Sequence, residues 1–182
     1  LPTVNGAGLA PLDQLRNVIA IGTFSKTLSA SLRCGYIAGR ADIIASLAEL
    51  KMLTTVNSSG YVERLLHGLL SEGHYRRHLK RLGQRIRRAT ETVVATVERN
   101  GFRLFAEPTG GYYVYLDLPR QIDDIRIARE GAAEGIFIAP GSVFCVDRRT
   151  GAAGIRVNVA HAGHARFYDF MKRAVDAQLR QT

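Results

Sequence analysis

Lys26 sits among hydroxyl-bearing residues in Gly22-Thr23-Phe24-Ser25-Lys26-Thr27-Leu28, directly after the apolar run Val18-Ile19-Ala20-Ile21. Leu32-Arg33-Cys34-Gly35-Tyr36 follows, so an arginine lies seven residues beyond the lysine. A lysine becomes a Schiff-base nucleophile when a fixed, partly desolvated pocket makes its neutral form easier to reach. The hydroxyls of Thr23 and Ser25 and the planar guanidinium of Arg33 are suitable donors to a phosphate beside it. Pyridoxal phosphate (PLP) needs both features at once. The same composition also suits a surface lysine in a Ser/Thr-rich turn, and residue types alone leave both readings open.

The elements around this loop follow from periodicity. Residues 1–16 read as an irregular lead-in, and Val18 to Gly22 as a strand buried on both faces, as in a parallel sheet. Cys34 to Ala38 reads as a short return strand. An amphipathic helix is expected from Asp42 to Met52 and another from about Gly60 to Leu70. A long basic helix then runs to Asn100-Gly101, a pair suited to a left-handed helix end. Beyond it, Phe102 to Ala106 reads as a strand, and Tyr112 to Leu118 alternates with Leu116 and Leu118 on one face. Asp123 or Asp124 can cap a helix that ends before Gly135. Ile136 to Ala139 and Ile155 to Val159 read as strands. A last helix from about His164 to Leu179 is expected to bury Phe167, Phe170, Met171 and Val175. This order argues for a two-layer α/β domain behind the long helix.

At 182 residues, 46% hydrophobic and 23% charged, the chain has the composition of one globular domain or two small ones. No apolar run approaches a membrane span, and no signal-peptide pattern opens the chain. Cys34 and Cys145 lie far apart with no metal-ligand spacing, which points to reduced thiols in a cytoplasmic protein and to no metal site. The net charge of +9 is concentrated in His74 to Arg88. Such density raises a nucleic-acid role. Leu79, Leu82, Ile86, Ala89, Val93 and Val97, however, form one apolar stripe with the arginines on the remaining faces, the pattern of a solvated helix. No nucleic-acid-binding motif accompanies the charge.

Thr23, Ser25, Lys26, Arg33, Gly35 and Tyr36 fall in register with the lysine motif S/T-x-S-K-x-x-x-P-G-x-R-x-G-Y. The stretch therefore resembles fold-type I PLP-dependent enzymes, the aspartate aminotransferase superfamily. Ala30-Ser31 replaces the usual Pro-Gly, which leaves Lys26 in place but alters the path towards Arg33. Three further segments resemble the small domain of that family, in order and at its spacing. They are Glu107 to Tyr113 (P-x-G-G-x-F), Gly135 to Phe144 (G-[IV]-x-x-x-P-G-x-x-F) and Ile155-Arg156-Val157-Asn158 (L-R-x-N).

The resemblance implies the C-terminal part of a fold-type I PLP-dependent transferase. Residues 1–72 would be the end of the large domain, and residues 73–182 the linking helix and a two-layer α/β small domain. It implies PLP as cofactor, with Lys26 as the Schiff-base lysine and Thr23, Ser25 and Arg33 as phosphate contacts. Arg156 would fork onto a substrate alpha-carboxylate. Tyr36 and Asn158 are expected to serve packing or turns, His161 and His164 to be structural, and Tyr113 to line the substrate side or pack in the core. The aspartate that meets the pyridine nitrogen has no counterpart, because the one acid before Lys26 is Asp13 in a Pro-Leu-Asp turn. The chain alone is therefore expected to hold PLP weakly and to be inactive, with residues 1–72 ordering against a second copy.

Within the superfamily, the wording of Gly22 to Ser29, Leu70 to Leu79 and Ala139 to Phe144 looks closest to the aminotransferase-like domain of MocR-type regulators of the GntR group. That resemblance implies a cytoplasmic homodimer that senses an amino compound. It binds DNA only through an N-terminal winged helix-turn-helix domain absent from this chain. A stand-alone class I/II aminotransferase, moving an amino group from an amino acid to a 2-oxo acid, carries nearly the same motifs.

Overall fold

The computed structural model describes residues 8–146 and 153–181. Residues 1–7 of the expected lead-in lie outside the described part. The chain divides into two compact units, Leu1–Gly83 and Gln84–Thr182.

The first unit opens with a five-residue helix, α1 (Leu9–Asp13), where an irregular lead-in was expected. Two antiparallel strands follow, β1 (Ala20–Thr23) and β2 (Gly35–Ala38), in register from Ala20 opposite Ala38 to Thr23 opposite Gly35. Gly22 leaves room for the Tyr36 ring, which stands where a Cβ would project. The expected strand buried on both faces is corrected. Among the described residues β1 pairs with β2 alone, and Ile21 is 78% exposed. Apolar character records what a strand is able to bury, not what lies over it. Helices α2 (Ala41–Thr54) and α3 (Gly60–Ser71) come next. The amphipathic stripe expected of α2 is only partly covered, with Ile43, Ile44 and Leu47 half-buried and none of its residues fully buried, whereas α3 buries Leu66. The long helix α4 (His74–Arg99) begins in this unit.

In the second unit the sheet is fully antiparallel, in the order β3 (Arg103–Leu104), β4 (Tyr113–Asp117), β6 (Gly154–Asn158), β5 (Ala139–Pro140). Two expected strands are shorter than their apolar runs. Phe102 to Ala106 contributes two residues, and of Ile136 to Ala139 only Ala139 joins the sheet. Alternation along β4 puts Val114 and Leu116, and Leu118 just past its end, into the core, where Ile155 and Val157 of β6 and the following Val159 join them. Helix α6 (Ala165–Leu179) covers this face with Phe167, Tyr168, Phe170, Met171, Ala174 and Val175. Val93 and Val97 of α4 and Ile127 of α5 (Asp124–Ala133) close the same core. Each large side chain removed from water in this way contributes about 1.5–3 kcal/mol. Asp123 caps α5, its Oδ1 accepting the N–H groups of Ile125 and Arg126 at 3.0 and 2.9 Å.

Candidate functional site

In the first unit the lysine loop is shaped by its own hydroxyls. Thr23 Oγ1 accepts the Ser25 N–H at 3.1 Å and lies 3.4 Å from the Cys34 carbonyl, so it is committed to the loop itself. Phe24 is buried against the rings of Tyr36 and Tyr75, with centroids 6.0 and 5.5 Å away. Its N–H donates to the Cys34 carbonyl at 3.1 Å. With Phe24 turned inward, the next two side chains face outward. Ser25 is half-buried and Lys26 exposed. Ala30 to Leu32, where the usual motif has Pro-Gly, form a 3-10 turn capped by Ser29, whose Oγ accepts the Ser31 N–H at 3.3 Å. Arg33 ends that turn in the left-handed region at φ 47°. It lines a recess of about 330 Å³ together with Lys51, Ser58 and Ser59, and no carboxylate faces that recess. Lys51 Nζ donates to Ser58 Oγ at 2.7 Å. Sequence reasoning did not single out Lys51 or Ser58, because nothing in their spacing links them to Arg33.

The donor chemistry fits part of PLP. An exposed primary amine, a neighbouring hydroxyl and an arginine in an acid-free recess suit its aldehyde and phosphate ends. The ring nitrogen finds no partner in Asp13, whose exposed carboxyl accepts the N–H groups of Asn17 and Val18. Those hydrogen bonds hold it below the usual carboxylate range.

The second unit contains an open pocket of about 680 Å³. Its walls are apolar (Ile136, Phe137, Ile138, Phe167), and its polar groups include Arg156, His161, His164 and Arg166, with no acid among the lining residues. Arg156 projects from β6, where it pairs with Tyr115 of β4 on one side and Ala139 of β5 on the other. Its guanidinium carbon lies 4.4 Å from the centre of the Tyr113 ring and 4.5 Å from that of Phe144. Nε is fully buried and has no hydrogen-bond partner among the described residues. The guanidinium is thus held between two aromatic rings on the wall of the pocket, and no carboxylate lines that pocket.

Lys26, Thr23, Ser25 and Arg33 thus share one loop in the first unit, and Arg156 stands in the second. Tyr113 is 44% exposed and lines the pocket rather than the core. His161 and His164, expected to be structural only, line the same pocket. Asn158 makes the turn expected of it, its Oδ1 accepting the Ala160 N–H at 2.9 Å. Phe144 matched a family motif but was given no role. Its approach to Arg156 depends on the fold of the intervening chain.

The chain belongs to the aminotransferase class I and II family, whose model matches residues 3–170. An uncharacterized HTH-type transcriptional regulator of Bacillus subtilis, YisV, is 28% identical over 156 residues, which cover 85% of this chain and 32% of that protein. The HTH-type transcriptional regulator TauR of Rhodobacter capsulatus is 31% identical over 137 residues, covering 75% of this chain and 28% of that protein. The chain therefore spans about a third of the length of the curated relatives it matches. A kynurenine aminotransferase of Pyrococcus horikoshii superposes with a TM-score of 0.81 at 20% identity, covering 98% of this chain and 45% of that one. It shares the fold. The α/β architecture read from the motifs is thus the architecture of the chain.

Proposed function

We propose that these residues form part of a PLP-binding, aminotransferase-like effector domain in a MocR/GntR-type transcriptional regulator, one that recognises a small amino compound through its carboxylate. The observation that carries this reading is Arg156, a guanidinium on the wall of a pocket with no acid among its lining residues, its Nε without a hydrogen-bond partner among the described residues. The regulatory setting is supported by the relatives, which are HTH-type transcriptional regulators.

In this reading residues 1–72 belong to the large domain and residues 73–182 to the linking helix and small domain. Lys26 holds PLP through its amine, and Ser25 and Arg33 bind the phosphate, with Thr23 holding the loop around them. When bound, PLP supplies an electron sink for the carbon next to the amine. Lys26 Nζ, once released from the cofactor, would be the group that moves the proton at that carbon, and Arg156 would hold the carboxylate of the amino compound. The contacts to the pyridine ring are assigned to the part of the relatives' length that this chain does not span. The chain by itself then holds PLP weakly and is inactive. The whole protein is a cytoplasmic homodimer that contacts DNA through a helix-turn-helix domain. A stand-alone aminotransferase is the second reading, favoured by the likeness in fold to an aminotransferase. It predicts steady transfer of an amino group to a 2-oxo acid, which the regulator does not.

The test is covalent capture. The native protein is incubated with PLP, reduced with borohydride and mapped by peptide mass. The added mass is expected on the peptide containing Lys26 and is expected to vanish in Lys26→Ala. Retention of that mass in the variant, on another lysine, sinks the assignment.

A further inference from the structure

Asp124 has no place in the reading so far, yet it is 4% exposed and makes three hydrogen bonds through a carboxylate that no cation accompanies among them. Oδ2 accepts the Ser142 N–H at 2.9 Å, and Oδ1 accepts the Ser142 hydroxyl at 2.7 Å. Oδ2 also accepts the Gly154 N–H, at 3.4 Å. Both partners stand two residues before a member of the aromatic–arginine stack. Ser142 precedes Phe144 on the 3-10 turn Gly141–Phe144, and Gly154 precedes Arg156 on β6. At its start the turn is joined to β5, whose Pro140 pairs with Ile155 of β6, but its outer end is less firmly held. Val143 and Phe144 are exposed, and Gly141 is packed beneath the Tyr115 hydroxyl. A buried carboxylate whose hydrogen bonds all go to two backbone segments fixes the distance between them, because each lost bond leaves a buried acceptor unsatisfied.

We propose that Asp124 is a positioning residue for Arg156. Its carboxylate ties the Gly141–Phe144 turn to the start of β6 and thereby keeps the Phe144 ring on the guanidinium that Tyr113 also contacts. The two rings flank the guanidinium carbon at 4.4 and 4.5 Å and so fix where the side chain stands on the pocket wall. A planar cation is oriented by such stacking, whereas an ammonium in its place would not be. The proposal rests on the reading of Arg156 as the carboxylate contact.

The test follows the Arg156 Nε–Hε signal in ¹⁵N-arginine-labelled protein, assigned by its loss in Arg156→Lys. Aromatic ring currents displace that signal from the position of a solvated arginine. Asp124→Asn and Phe144→Leu are each expected to return it towards that position. Sodium benzoate, used as the carboxylate probe and titrated on the same signal, is expected to bind roughly tenfold more weakly to Asp124→Asn, the equivalent of one hydrogen bond to a charged group. A folded Asp124→Asn with the Arg156 signal at its wild-type position overturns the proposal. Ser142→Ala, which cuts only the hydroxyl bond, is the milder variant should Asp124→Asn fail to fold; an unmoved signal there overturns it too. If benzoate leaves the wild-type signal unchanged, the carboxylate reading of Arg156 falls, while the ring-current comparison still decides whether Asp124 positions the side chain.

Discussion

Thr27 and Tyr75, 48 positions apart, share a hydroxyl–hydroxyl hydrogen bond of 2.9 Å. Thr27 is the residue after Lys26, and it is 6% exposed while the lysine is exposed. His78, one turn further along α4, places Nε2 at 2.6 Å from the Thr27 carbonyl, so this nitrogen carries the hydrogen of that bond. The lysine loop is therefore fastened by both the side chain and the backbone of its next residue. Tyr75→Phe is expected to cost about 1 kcal/mol. Thr27→Val is expected to cost a similar amount, and the double variant less than the sum, because the two changes remove one bond. Urea midpoints of the three variants measure this. Strict additivity would mean that the two hydroxyls do not meet in solution.

Arg156→Gln removes the cation and keeps a side chain of similar reach. Because Arg156 and the lysine loop belong to different units, PLP capture at Lys26 is expected to persist while the response to amino acids falls. The loss of one charge-assisted contact corresponds to roughly tenfold or more in affinity. The two readouts are borohydride mass mapping and an amino-acid titration of the PLP-loaded native protein. Equal loss of both would show that Arg156 acts through folding.

Parts of this arrangement were open to reading in the residues because they rest on local rules. The cap at Asp123 follows from side-chain reach, and the alternation of Val114, Leu116 and Leu118 from the strand repeat. The stripe on α4 follows from the helical repeat, and its continuation Val93 and Val97 is buried to 1% and 0% exposure. Other parts depend on what the tertiary fold brings near. Ile136 to Ile138 have the character of a strand, but β5 meets β6 only at Ala139 and Pro140, so they become pocket wall. Val18 to Gly22 have the character of a buried strand, yet β1 has β2 as its only described partner. The pairing of Arg156 with Phe144 is set by the turn that Asp124 holds from 18 positions away. No period or spacing in the sequence encodes that closure.

Gly141 owes its identity to Tyr115, whose hydroxyl occupies the place a Cβ at 141 would take, with the Gly154 carbonyl 2.9 Å from the same point. Gly141→Ala therefore forces the turn or the tyrosine to move. It is expected to lower stability by about 1–3 kcal/mol, the usual range for overpacking. Tyr115→Leu shortens the side chain that blocks the position, so the double variant is expected to lose less than the two single changes together. Thermal melts of the set check this. Additive losses would place the conflict with the Gly154 backbone instead.

Tyr168 is 1% exposed, and its hydroxyl is buried without a hydrogen-bond partner among the described residues. Burial pushes its pKa above the ordinary tyrosine value. The folded state thus favours the protonated phenol, while the unfolded chain ionises near pH 10. The sign follows from linkage. The contribution is complete below the unfolded pKa and is lost as pH rises from there through the higher folded pKa. Tyr168→Phe keeps the ring against Phe102 and Phe167, at centroid distances of 6.4 and 5.0 Å, and removes only the unpaired hydroxyl. The variant is expected to be more stable than wild type by about 1 kcal/mol near neutral pH. It is also expected to show a smaller loss on moving above about pH 10. Part of that loss should remain, since burial and neighbouring acidic groups raise the pKa of Tyr115 as well. Urea midpoints at the two pH values, with tyrosinate absorbance followed in parallel, measure both effects. A phenylalanine variant less stable than wild type at neutral pH would mean that the Tyr168 hydroxyl finds a partner in solution, with water the first candidate.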